Sequence, residues 1–154
     1  MPATKEVSRV AKIIHQTMPG GRKKAGKKRV AAYARISCVK DAMLHSLSAQ
    51  VSYFSNLIQH NPDWIFAGIY ADEVTGTTKE RKDFQRLLAD CRNGQIDMII
   101  VKSLSRFARN TVDCLEYIRL LKSLNIGVYF EKESIDTLKM NSEMPITFVG
   151  AFSQ

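Results

Sequence analysis

Apolar and polar positions fall in blocks along the chain, and the period of each block predicts its element. RVAAYARIS (29–37) is a short apolar run ending in polar residues, the pattern of a strand feeding a loop. From Ser46 onward Leu47, Val51, Phe54 and Ile58 recur at helical spacing, and Asn61-Pro62 ends the pattern because proline cannot continue a helix. WIFAGIY (64–70) reads as a second strand, and ADEVTGTTKERK (71–82) as an exposed polar loop with a central glycine. Phe84, Leu87, Leu88 and Cys91 predict a short amphipathic helix over 82–92, stopped by Asn93-Gly94. IDMIIVK (96–102) is the most apolar strand and is expected near the centre of the sheet. Asn110, with Asp113 three residues on, suits the N-cap of a helix running to residue 123, with Cys114, Ile118 and Leu121 on one face. Asn125-Ile126-Gly127 turns the chain into VYFEK, a fourth strand, and MPITFVGAFSQ at the end reads as the start of another helix.

This alternation, with strands of continuous rather than alternating apolar character, predicts an α/β fold of three layers. A parallel-dominated central sheet should carry helices on both faces. A chain of 154 residues, 45% hydrophobic and 25% charged, suits one globular domain.

Charge changes the picture once it is located. Nine of the 23 Lys and Arg but only one of the 15 Asp and Glu lie in residues 1–29, which leaves fourteen of each sign in the remainder. The net +8 therefore belongs to a leader, densest at GGRKKAGKKR, ahead of a neutral domain. Residues 1–28 are expected to be a basic, disordered leader, with phosphate contact as its alternative role, and 29–154 the folded domain. No apolar stretch reaches the roughly 20 residues that span a bilayer, and the leader's apolar pieces are too short for a signal peptide, so a cytoplasmic protein without membrane contact is expected. Cys38, Cys91 and Cys114 are an odd number with no CxxC and no His at ligand spacing, which argues against disulfides and a zinc site; each reads as a small buried hydrophobe.

Candidate chemistry sits at the carboxyl ends of the strands, where open α/β sheets place it. The first strand delivers Arg35 and Ser37 to one side, the second is followed by Thr75, Gly76 and Arg81, and the third delivers Lys102 and then SLSRFARN. If that last segment is helical, Arg106 and Arg109 share one face. One hydroxyl with several guanidiniums, and with no His, acidic pair or metal-ligand set, suits phosphoryl transfer: guanidinium forks bind phosphoryl oxygens bidentately. The dinucleotide fingerprint GxGxxG and the phosphate loop GxxxxGK[ST] are both absent, and Ser37 and Ser103 stand where a receiver domain would need acids.

With YARIS (33–37), SLSAQ (46–50), EVTGTTKERKDFQRLL (73–88) and SLSRFARNTVD (103–113) in order, residues 29–154 resemble the catalytic domain of serine recombinases, the resolvase and invertase superfamily, and most of all its large integrases and transposases. The resemblance implies a site-specific recombinase in which Ser37 attacks a DNA phosphodiester to give a 5′-phosphoserine and a free 3′-hydroxyl. Neither ATP, metal nor other cofactor is implied. Strand exchange by subunit rotation and resealing would follow. Arg35, Arg106 and Arg109 match the family's phosphate-binding arginines, Arg81 the arginine of its mobile loop and Gln50 the glutamine of its first helix. Thr75 stands where small resolvases carry serine, and Lys102 and Ser105 are further candidates for phosphate contact. Small resolvases carry Asp where this chain has Ser105, which leaves the general acid unassigned and motivates the alternative of a catalytically inactive DNA-bound assembly module. Implied partners are double-stranded DNA and, in the full-length protein, copies of the chain in a dimer and then a tetramer. A bacterial, phage or mobile-element origin is implied too. The chain is expected to stop at the start of the family's long C-terminal helix.

Overall fold

The computed structural model describes residues 26–37, 40–74 and 81–139, apart from the side chains of 37, 40–46 and 74. Strand β1 spans Lys28–Ser37, helix α1 Lys40–Gln59 and strand β2 Trp64–Val74. Helix α2 is Lys82–Arg92, strand β3 Met98–Val101, the one-turn helix α3 Leu104–Phe107 and helix α4 Thr111–Ser123. Strands β4 (Gly127–Phe130) and β5 (Ile135–Asp136) follow. The sheet order is β2-β1-β3-β4-β5; the first four strands are parallel, and β5 pairs antiparallel with β4.

Parallel strands joined by helical crossovers are covered on both faces, which is why β1 and β3 read as unbroken apolar runs. Val30 through Ala34 and all of β3 are buried. Successive residues point to opposite faces and so divide between two cores. Ala31, Tyr33, Ile99, Val101, Val128 and Phe130 pack with Phe84, Leu87, Leu88 and Cys91 of α2 and Cys114, Ile118 and Leu121 of α4. Val30, Ala32, Met98 and Ile100 pack on the other face with Val51, Phe54 and Ile58 of α1. The three-layer α/β architecture expected from the sequence is the one observed, with β3 at the sheet centre.

Several boundaries differ from expectation. β1 begins at Lys28, one residue early, and Arg29 is tied into the fold by a two-pronged bond to Asp97, Nε to Oδ2 at 3.1 Å and Nη2 to Oδ1 at 3.2 Å. β2 continues through Asp72 and Glu73 to Val74, so part of the expected 71–82 loop is strand. Its polar letters conceal this because Asp72 is buried for the bonds described below, not for apolar contact. β5 was not expected; two residues are too few to show a period. The helix expected from Ser46 starts at Lys40. Helices 82–92 and 111–123 and the Asn110 cap, whose Oδ1 accepts from the Asp113 amide at 2.9 Å, match the sequence reading. The expectations for residues 1–25, for Cys38 and for the segment beyond residue 139 lie outside the described residues.

Candidate active site

The carboxyl ends of β1, β2 and β3 lie side by side, and the side chains of the site are built outward from them. Arg35 is two residues from the end of β1, in register with Asp72 of β2. The backbone of Ser37 closes β1 opposite Val74; its side chain, and all of Thr75, lie outside the described residues.

Arg81 stands immediately before α2 and is held from three sides. Its guanidinium carbon lies 3.7 Å from the Phe84 ring centroid and 5.2 Å from that of Tyr33. Its Nε donates to the Tyr33 hydroxyl at 3.3 Å, and its Nη2 donates to the Phe107 carbonyl at 2.6 Å. Tyr33 in turn donates to Asp72 Oδ2 at 2.7 Å. Asp72 also accepts the amides of Asp83 at 2.8 Å and Phe84 at 3.0 Å, so one buried carboxylate caps the start of α2 and anchors the tyrosine. Burial, the larger effect, and the bond to Asp72 raise the Tyr33 hydroxyl well above the usual phenol range against the opposing pull of Arg81. Tyr33 is therefore protonated, able to donate to Asp72 while accepting from Arg81.

The segment after β3 places the other two arginines. Leu104 and Phe107 are buried and anchor α3, while Ser105 and Arg106 are exposed. Arg106 Nη1 donates to the carbonyl of Arg35 at 3.4 Å, which brings the third strand's loop to the end of the first strand. Ala108 is buried and extended, so α3 ends before Arg109. The two arginines therefore do not share one helical face: Phe107 and Ala108 both turn inward to the core, and Arg109 returns to the surface from extended chain.

Electrostatics show that the four arginines share one neighbourhood. The Arg35 guanidinium is pushed below its ordinary value, first by partial burial and then by the positive charge of Arg81, with smaller contributions from Arg109 and Arg106; Tyr33 opposes the shift. Four permanent cations this close repel one another, an arrangement that an anion placed among them would relieve.

Gln50 and Lys102 are neighbours. They line a cleft of about 340 Å³ with Ala49, Tyr53, Phe54 and Glu131, across which the Tyr53 hydroxyl donates to Glu131 Oε2 at 2.7 Å. Ser105 Oγ is 3.0 Å from Ser103 Oγ. Tyr33 and Asp72 are the residues that the sequence reading missed. Tyr33 shares the strand parity of Arg35, which was an available signal; Asp72 sat in a segment read as loop. Cys91 and Cys114 are buried free thiols, both pushed up to about 12, chiefly by desolvation. Among the described residues no cluster of His, Cys, Asp and Glu could hold a metal ion, and no helix is long and apolar enough to cross a membrane.

Known proteins share this architecture. The chain is 27% identical over 86 residues to a resolvase/recombinase of Pseudomonas putida and 28% identical over 86 residues to the transposon Tn3 resolvase of Escherichia coli. Each alignment covers 56% of this chain and 46% or 45% of the relative, so the chain spans about half the length of these relatives. A resolvase family site-specific recombinase from Streptococcus pneumoniae superposes with a TM-score of 0.65 at 27% identity, covering 80% of this chain and 85% of that one. The N-terminal catalytic domain of TP901-1 integrase superposes with a TM-score of 0.52 at 28% identity, covering 82% and 92%. The model of the resolvase N-terminal domain matches residues 30–154, and with that span the chain belongs to the resolvase family of serine recombinases.

Proposed function

We propose that this domain cuts and rejoins DNA strands in site-specific recombination through a covalent bond between Ser37 and DNA. The Ser37 oxygen attacks the scissile phosphorus, the bond from phosphorus to the 3′ oxygen breaks, and the serine proton is balanced by the one that the departing 3′-hydroxyl gains. One phosphodiester replaces another, so the free energy of the broken linkage is kept and the reverse attack reseals the strand without ATP. Arg35, Arg81, Arg106 and Arg109 bind the non-bridging oxygens and stabilise the charge that grows on them in the transition state. Gln50, Lys102, Ser105 and Thr75 extend phosphate contact along the duplex. In the full-length protein the reaction runs in a DNA-bound tetramer assembled from dimers.

The observation that carries this reading is the crowding of guanidiniums around the end of β1: Arg106 bonds the Arg35 carbonyl, and Arg81, Arg106 and Arg109 all depress the affinity of Arg35 for its proton. The test is to incubate the full-length protein with labelled duplex DNA tiled across the flanks of its gene and to look for protein-linked DNA on a denaturing gel. The adduct is expected with the unaltered protein and absent with Ser37→Ala, which should still bind. An adduct that persists in Ser37→Ala removes the nucleophile assignment; binding without any adduct in the unaltered protein supports an inactive assembly module instead.

A further inference from the structure

Helix α3 carries Arg106, yet it is not capped in the ordinary way. Its N-cap residue, Ser103, is extended (φ −157°, ψ 163°) and makes no side-chain cap bond; its hydroxyl faces that of Ser105 instead. The Leu104 amide is taken by Glu133, whose Oε1 and Oε2 both lie 3.3 Å away, from 29 residues further along the chain. A helix of four residues cannot hold itself, because nucleation fixes several dihedrals for each bond formed. Its place is set from outside, by Leu104 and Phe107 in the core and by this carboxylate at its start.

The turn that supplies Glu133 is itself fixed. Glu131 and Lys132 donate their amides to the carbonyls of Val101 at 3.0 Å and Lys102 at 2.8 Å, which ties the turn to the end of β3. Ser134 adopts φ 54°, a left-handed conformation uncommon in a residue with a Cβ, and its amide closes the turn on the Glu131 carbonyl at 3.2 Å. Glu131 reaches the other way, to Tyr53 of α1. One tight turn thus joins the helix bearing Gln50 to the helix bearing Arg106.

We propose that Glu133 is a positioning residue for the phosphate-binding arginines: by holding the start of α3 it sets where Arg106 meets the scissile phosphate. The inference rests on the recombinase reading above and deepens it. Among the described residues Glu133 bonds the Leu104 amide and not Arg106, so it acts through the backbone of α3. Its loss should slow DNA cleavage in every molecule rather than remove a fraction of molecules from the reaction.

The experiment uses the full-length protein and the DNA tile on which the unaltered protein forms its adduct, in single-turnover kinetics at saturating protein. Glu133→Ala is expected to lower the rate constant of adduct formation roughly tenfold, the effect of losing a cap of ordinary size, at unchanged final amplitude and unchanged DNA affinity. Glu133→Gln keeps an acceptor for the Leu104 amide and is expected to stay within about threefold of the unaltered rate. Asp97→Asn, which weakens the bonds to Arg29 at the start of β1, serves as a destabilised control and should leave the rate constant alone. A Glu133→Ala protein with reduced amplitude and an unaltered rate constant, or with no change at all, overturns the positioning role while the recombinase reading stands. No adduct from the unaltered protein on any tile overturns both.

Discussion

Arg81 shows how a long, flexible side chain is given one position. A guanidinium has five donors in a plane, and here the Tyr33 hydroxyl and the Phe107 carbonyl accept from it while the Phe84 ring covers its face. Tyr33 is the pivot, since its hydroxyl accepts from the arginine and donates to Asp72. Tyr33→Phe keeps the ring that meets Phe84 edge-on at 5.2 Å and removes only the oxygen. Asp72 retains its two backbone donors, so the stability cost should be about 1 kcal/mol, read from urea denaturation. Adduct formation is expected to fall several-fold because Arg81 loses an acceptor; an unchanged rate would reduce Tyr33 to a structural role.

At the scale of elements, legibility followed burial. Helices α2 and α4 were readable because each buries one stripe at a 3.6-residue period, and β1 and β3 because both of their faces are covered. The end of β2 was not readable: Asp72 is buried to satisfy the Tyr33 hydroxyl and two helix amides, and a polar letter in a strand looks like a loop. The same holds within the site. Arg35, Arg81, Arg106 and Arg109, the candidates, stand out by residue type and strand end, whereas Glu133 bonds the Leu104 amide from a turn 29 residues further on, a relation that no local pattern carries. One irregularity in β2 makes a sharp prediction. The pairing of β1 with β2 shifts between Val30 and Ala31, where Val30 faces Phe66 and Ala31 faces Gly68, and Gly68 sits at φ 136°. An added Cβ would find room, its nearest neighbour being Tyr70 Cε2 at 3.7 Å, so the penalty is one of backbone conformation. Gly68→Ala should cost about 1–3 kcal/mol in denaturant unfolding. A neutral result would mean that the bulge relaxes.

For the whole molecule, the two faces of the sheet do different work. The core under α1 is built of apolar side chains, whereas the core under α2 and α4 holds four weakly acidic groups, Tyr33, Tyr70, Cys91 and Cys114, and supports the arginine site. Burial raises all four above their ordinary values, and the two thiols reach about 12. A raised value in the folded state means that the unfolded chain gives up its protons first. Stability is therefore full below pH 9, the ordinary thiol value here, and falls as pH climbs toward 12. Each thiol contributes a slope of about 1.4 kcal/mol per pH unit once the unfolded form is ionised, and the tyrosines add to it above pH 10. Urea midpoints measured at pH 8 and pH 10.5 should drop by an amount worth about 4–6 kcal/mol, a large part of a domain's usual stability. In a Cys91→Ala, Cys114→Ala variant the same interval should cost less than half as much. Because the cluster sits beneath Arg81 and Phe107, alkaline loss of this core should also disperse the arginines; adduct formation should then fail over the same pH interval as the urea midpoint, and activity that outlasts unfolding would separate the site from the core assigned to support it.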